Sequence, residues 1–398
     1  MGHLGDLTTQ CIRCGFCLES CPTFVETGDE TESPRGRIYL VRSVEEGKLT
    51  WDDARPHLDL CLGCRACETA CPSGVQYGEI LELARAKLPR RSGVKQLLHG
   101  LTDPGRASLQ FKLAGLLPGR KVPPFVQRML SDEPAEAAIP KPMKPVAFPP
   151  LDESKLPPIK GEVALLLGCV MRVLHDPVHQ ATKRLLRRVG YRTVEIEAPC
   201  CGSLHFHAGQ IDEGLASARS LAGSVPSGVP VIVDSAGCGS AMKEYGKFDS
   251  ELDPLAKRVF DASEFLHREG LAAVLAQLPS KALRVTYHDA CHLAHGQRIT
   301  QQPRELLRAI PGLNLIELEE ADRCCGSAGI YNVVQPGMAR RLLDRKWGFI
   351  RATGAQTVVT GNPGCYEWIE QASREQGHPI EVVHTMSFLE GQFSLQSG

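Results

Sequence analysis

Apolar positions recur at helical spacing in the first part of the chain and shift to short buried runs after about residue 160. Residues Pro34 to Val44 predict a helix, with Pro34 in its first turn and Gly47 as its stop. Ile38, Val41 and Val44 form its inner stripe, while Arg35, Arg37 and Arg42 read as solvated helix charges. Those arginines have a second use, to hydrogen-bond nearby thiolates or face a partner. Glu79 to Leu88 predicts a further helix. Residues 93 to 117 carry Leu97, Leu98, Leu101, Leu109, Phe111, Leu113, Leu116 and Leu117, a helical pattern broken at Asp103-Pro104-Gly105. Their stripe is expected to pack on the preceding helical domain, with a partner or membrane surface as the alternative. Pro118 to Pro158 holds 11 of the 28 prolines and predicts an extended linker.

A strand–helix pattern then occurs twice. The first copy has a strand at Glu162 to Leu167 before Cys169, a helix at His179 to Val189 and a strand at Thr193 to Glu197. Cys200-Cys201-Gly202, a strand at Val229 to Val233 and Cys238 complete it. The second has a strand at Leu283 to Tyr287, Cys291, a helix near Arg304 to Ala309 and a strand at Leu313 to Leu318. Cys324-Cys325-Gly326, a strand at Thr357 to Thr360 and Cys365 follow. From the first cysteine to the pair is 31 and 33 residues, and from the pair to the last is 37 and 40. Alternation of this kind predicts two α/β domains with mostly parallel sheets, whose strand ends gather the cysteines in a crevice.

The length of 398 residues suits two or three domains, and 42% hydrophobic content suffices for their cores. A net charge of −1 gives no electrostatic case for nucleic acid. The longest apolar run, Val163 to Met171, falls far short of the roughly 20 residues of a membrane span. Met1 to Gln10 carries no apolar core, so no secretory leader is expected, and the 16 cysteines point to metal-bound thiolates in a reducing compartment.

Eight of those cysteines form two runs. Cys11, Cys14, Cys17 and Cys21-Pro22 recur 50 residues later as Cys61, Cys64, Cys67 and Cys71-Pro72. This C-x2-C-x2-C-x3-C-P spacing binds [4Fe–4S] cubanes, and in two-cluster proteins the fourth cysteine ligates the other cluster. Cys11, Cys14, Cys17 and Cys71 are therefore assigned to one cluster, and Cys61, Cys64, Cys67 and Cys21 to the other. Structural zinc would more usually use separated C-x2-C pairs. The repeats supply two further sets, Cys169, Cys200, Cys201, Cys238 and Cys291, Cys324, Cys325, Cys365. Each can hold a further [4Fe–4S] cluster or zinc, or act as a redox thiol centre. The glycine after each pair lets the backbone approach closely. His205, His207, His288, His292 and His295 lie nearby, as ligands or proton carriers in one reading, but without metal-like spacing they read as structural or surface residues. No G-x-G-x-x-G or P-loop occurs. The chain thus carries electron carriers without a hydride-accepting site, and a flavin belongs on another chain.

With these motifs in place, the chain resembles the glycolate oxidase iron–sulfur subunit family, within the group carrying CCG cysteine-rich domains. The resemblance rests on both cysteine runs and on Gly28-Asp-Glu, Pro34-Arg-Gly-Arg-Ile-Tyr-Leu40, His57-Leu-Asp-Leu-Cys61, Cys71-Pro-Ser-Gly-Val75, Gly237-Cys-Gly239 with Lys243-Glu-Tyr-Gly246, and Cys324-Cys-Gly-Ser-Ala-Gly329. It implies a multidomain α+β chain: an α-helical two-cluster ferredoxin-type domain at 1–92, a helical segment and linker at 93–158, and CCG domains at 159–280 and 281–398. It implies FAD-binding partner subunits that oxidise glycolate or D-lactate. Electrons would pass to a quinone or other membrane acceptor, and the chain would not be catalytic alone. Its place would be cytoplasmic or peripheral at the inner membrane face. The family's final C-x-x-C has Ser235 and Asn362 at its first positions here, which disfavours a five-thiolate cluster and direct disulfide reduction, and Ser235 is the residue expected to hydrogen-bond a sulfur. Other readings are a subunit of a different CCG complex, such as lactate utilisation, anaerobic glycerol-3-phosphate dehydrogenase or heterodisulfide reductase, and an iron–sulfur or zinc scaffold or sensor.

Overall fold

The computed structural model describes residues 4–89, 91–196, 200–377 and 380–394. In the first part, helices Pro34–Glu45, Trp51–Leu60 and Tyr77–Ala86 bury Ile38, Val41, Leu58, Ile80 and Leu81 against one another. The predicted helix start holds: Ser33 caps Pro34–Glu45 by accepting from the Gly36 N–H at 2.9 Å. Gly47 turns left-handed just past its end, with φ of 73°.

The interrupted helical stretch forms Ser92–Leu101 and Pro104–Ala114, split where Asp103 caps the second helix by accepting from the Arg106 N–H at 2.8 Å. Ala107 and Phe111 pack on Leu174 of the first α/β unit rather than on the cluster domain. Leu109, Leu113 and Leu116 face outward. The proline-rich stretch is largely extended, apart from Pro124–Leu130 and short turns. It is strapped down along its length. Gln127 Nε2 donates to the Val333 carbonyl at 3.0 Å, Gln371 Oε1 accepts from the Ala138 N–H at 3.0 Å, and the Met143 N–H donates to Leu174 at 2.7 Å.

Two parallel sheets follow. The first comprises β1 (Gly161–Leu166), β2 (Tyr191–Ile196), β3 (Val231–Val233) and β4 (Val259–Asp261), in the order β2-β1-β3-β4. Glu197, the expected end of β2, lies outside the described residues. The second repeats the order as β6-β5-β7-β8, with β5 (Leu283–His288), β6 (Leu313–Ile316), β7 (Thr357–Thr360) and β8 (Glu381–His384). Register is fixed by pairs such as Val163↔Thr193 and Val285↔Thr357. The edge strands β4 and β8, which no cysteine closely follows, are not predicted from the sequence.

A single core spans both sheets, joining Val163, Leu165 and Leu185 to Val285, Tyr287 and Leu389. The final helix, Thr385–Ser394, returns to the first unit. There Glu390, fully buried, accepts from Arg184 Nε at 2.6 Å and Arg188 Nε at 2.8 Å.

Candidate functional site

Both cysteine runs bend in the same way. Positions 13 and 15 have left-handed backbone at Arg13 (φ 59°) and Gly15 (φ 86°), and positions 63 and 65 repeat it at Gly63 (φ 66°) and Arg65 (φ 65°). Those turns curl three cysteines inward around a space. One cavity is lined by Cys11, Cys14, Cys17 and Cys71 and by Cys67. A second is lined by Cys61, Cys64, Cys67 and Cys21. The fourth cysteine of each run thus sits at the other run's cavity, and Cys67 borders both. Soft thiolates in fours around a shared cavity fit iron–sulfur cubanes.

The cavities differ in exposure. Cys14 is exposed at the first, beside outward-facing Ile12 and Phe16, whereas the second is buried. Burial pushes the Cys17 thiol up to about 11. Burial also raises Cys64 and Cys67, so a metal must displace their protons on binding. Arg37 is buried at the second cavity, against the expectation of a solvated charge, because it shares the inward face with Ile38 and Val41. Its Nη1 donates to Thr23 Oγ1 at 3.1 Å and points at Cys21 Sγ, 3.9 Å away. Nη2 donates to Glu32 at 2.7 Å and Nε to the His57 carbonyl at 2.6 Å. Burial disfavours its charge, but Cys61, Tyr77, Cys21 and Glu32 more than offset this, and Arg37 stays protonated. Tyr77 donates to Cys61 Sγ at 3.5 Å and the Gly63 N–H at 3.4 Å. Arg35 pairs with Glu30 and Arg42 with Glu46 near the surface.

Each cysteine-rich unit gathers its four thiols at strand ends. Cys200 Sγ lies 3.6 Å from Cys169 Sγ, and Cys201 interacts with Cys200 and Cys238. Cys291 Sγ lies 3.9 Å from Cys324 Sγ, and Cys325 interacts with Cys324 and Cys365. Hydrogen bonding from neighbouring thiols, Cys169 first, holds Cys200 below the ordinary thiol range. Cys324 does the same for Cys325. Gly202 and Gly326 follow the pairs with φ of 79° and 92°, and a Cβ on either would meet a carbonyl oxygen at 2.6 Å. The side-chain amide found donating to a sulfur is Asn362, to Cys365 at 3.6 Å, rather than the hydroxyl of Ser235.

The second unit packs on the second cluster cavity. Cys64 shares a core with Cys291, Cys324 and Cys365, and after burial the Cys291 thiol is what most raises Cys64. His292 Nε2 lies 3.1 Å from the Gly63 carbonyl, and His295 Nδ1 lies 2.9 Å from Thr69 Oγ1. His207 bridges Glu82 at 2.8 Å and Ser203 at 3.1 Å, and His205 joins Gln210 and Thr102. Four of the five histidines are therefore structural ties, as expected. The exception is His288, whose ring nitrogen lies with Cys325 and Cys365 sulfurs within 4.8 Å of one another. Arg65 completes the junction, with Nη2 and Nη1 each 2.7 Å from Glu244 and Nη2 2.8 Å from Glu68. Arg37 takes the second of its two expected uses, beside a cluster thiolate, and His288 departs from the structural reading of the histidines; Arg65 is the residue that no sequence motif singles out. Left-handed Arg65 in a ligand loop was the only local signal, and it is a backbone property.

Two thiolate cradles joined to paired cysteine-rich α/β units define an iron–sulfur electron-transfer protein. Residues 8–75 match the family model described as "4Fe-4S dicluster domain", and residues 163–243 and 285–370 match that described as "Cysteine-rich domain". The "Probable glycolate oxidase iron-sulfur subunit" of Bacillus subtilis (strain 168) is 36% identical over 95% of this chain and 92% of its own. The "Glycolate oxidase iron-sulfur subunit" of Escherichia coli (strain K12) is 33% identical over 94% and 92%. The chain belongs to the glycolate oxidase iron–sulfur subunit family. "Lactate utilization protein A" of Oceanobacillus iheyensis is 27% identical over 57% of this chain and 96% of its own. A crystal structure of a hypothetical protein from Helicobacter pylori shares the fold, with a TM-score of 0.55 at 12% identity over 92% of this chain and 68% of its own.

Proposed function

We propose that this chain is the electron-transfer subunit of a flavin-dependent 2-hydroxy-acid oxidase acting on glycolate, with D-lactate as a second substrate. The observation that carries this is the graded exposure of the two cradles: one opens to solvent at Cys14, and the other is buried against the second cysteine-rich unit. Bound clusters supply one-electron transfer. Cys11, Cys14, Cys17 and Cys71 hold the outer one, and Cys61, Cys64, Cys67 and Cys21 the inner one. Cys67, bordering both cavities, keeps the two within short range. Arg37 and Tyr77 offset the negative charge of the inner thiolates, and the CCG cysteines hold further metal.

The FAD subunits dock at the outer edge, where Ile12 and Phe16 are 68% and 71% exposed beside the cradle. The exposed ridge of Leu109, Leu113 and Leu116 faces the inner membrane surface, toward a quinone acceptor. Among the described residues no helix is long and apolar enough to cross a membrane. The full-length match to glycolate oxidase subunits, against partial matches to lactate utilisation proteins, favours this substrate reading.

The test is dye reduction with glycolate. The chain alone, free of FAD, gives none, and adding the FAD subunits gives turnover. Phe16→Ser with Ile12→Ser weakens co-purification of those subunits while leaving iron content unchanged. Turnover by the chain alone, or unaffected co-purification, contradicts the reading.

A further inference from the structure

His288 ends β5 fully buried, and neither ring nitrogen has a hydrogen-bond partner of ordinary geometry. A buried imidazole normally satisfies both nitrogens, so two unpartnered ones in a thiol crevice call for a bound group. The ring does meet the Cys325 side chain. A His288 ring nitrogen and the sulfurs of Cys325 and Cys365 lie within 4.8 Å of one another, and all three residues are buried. Among the described residues no other three such donors lie so close. The cradle cysteines stand wider, as ligands to different irons of a cubane must. Around one tetrahedral ion, with Zn–S about 2.3 Å and Zn–N about 2.0 Å, donor atoms sit roughly 3.5–3.8 Å apart. Beside the trio lie Cys291 and Cys324, with sulfurs 3.9 Å apart, ready to supply a fourth donor. In the first unit the residue three before the leading cysteine is Leu166, so that set is all sulfur.

We infer that the second cysteine-rich unit holds a single zinc ion through His288, Cys325, Cys365 and one thiol of the Cys291–Cys324 pair. Mixed imidazole and thiolate ligation is what structural zinc takes, and the ion ties the ends of β5 and β7 beside the inner cradle. Zinc does not change oxidation state, so it fixes this unit rather than storing electrons. The inference rests on reading the cysteine-rich sets as metal sites and narrows that reading to one metal at one site.

The test uses the full chain purified anaerobically, with zinc and iron counted per chain and zinc-edge X-ray absorption recorded. One zinc per chain with a mixed sulfur and nitrogen shell is expected. His288→Ala weakens zinc retention against a chelator by more than about tenfold, with iron content unchanged. His288→Cys retains zinc with an all-sulfur shell, which separates loss of a ligand from loss of the fold. An all-sulfur shell in the unaltered protein overturns the inference, as does a His288→Ala variant that loses iron instead of zinc. A zinc-free chain whose second unit holds iron overturns it while leaving the metal-site reading standing. Free thiols at that unit overturn both.

Discussion

At the residue scale, Arg37 shows why a charge is kept beside the inner cradle. Its side chain is 1% exposed, and its bonds to Thr23 and Glu32 are buried, while the one to the His57 carbonyl is partly so. Arg37→Leu removes the guanidinium from Glu32 and leaves it only the His57 ring at 2.6 Å. It should cost about 3–5 kcal/mol in denaturant unfolding. Asp261 offers a pH test away from every thiol set. Burial pushes its carboxyl up to about 6, partly offset by hydrogen bonds from Ser263, against an ordinary value of about 3.9. Between those values the folded state binds more protons than the unfolded one, so stability falls as pH rises from about 4 to 6. Asp261→Asn should remove a component on the order of 3 kcal/mol from that fall, read as the difference between the two stability–pH profiles. Arg37 lies on the inward face by the same period as Ile38 and Val41, but its ion partner and the burial of Asp261 are set by packing that the sequence does not mark.

At the element scale, the cysteine runs were legible because ligand spacing is local. A repeat of 50 residues fixes both the cradles and the similarity of their turns. The helix Pro34–Glu45 was legible from its proline start, its stripe and its glycine stop. Its close packing was not: a Cβ on Gly36 would lie 1.9 Å from the Glu30 carbonyl oxygen. Gly36→Ala must push the helix off that turn. A loss of about 2–3 kcal/mol is expected in thermal or denaturant unfolding, and an unchanged midpoint would show that the turn yields freely. The α/β repeat was readable from strand ends that carry cysteines. Strands β4 and β8 were not, since no cysteine closely follows either to mark its end. His288 stands among the nearby histidines in sequence, but its donor partners are 37 and 77 residues away, so no spacing marks it out as a ligand.

At the scale of the whole molecule, the proline-rich stretch reads in sequence as a spacer, but hydrogen bonds to Val333, Leu174 and Gln371 make it a strap across both α/β units. Composition reports stiffness and says nothing of such docking. The junction between the cradles and the CCG units is held by Arg65, whose charge serves Glu68 and Glu244 together. Arg65→Met should cost about 3 kcal/mol or more and loosen the inner cradle, seen as faster loss of cluster absorbance in air. Retention of both stability and absorbance would mean the junction is held elsewhere.

The relay itself is tested most directly by mixing the anaerobic, oxidised chain with its FAD subunits and glycolate while following cluster absorbance. The account predicts bleaching at the rate of turnover when flavoprotein is present and none when it is omitted. Clusters that stay oxidised while flavin is reduced and turnover continues would contradict it.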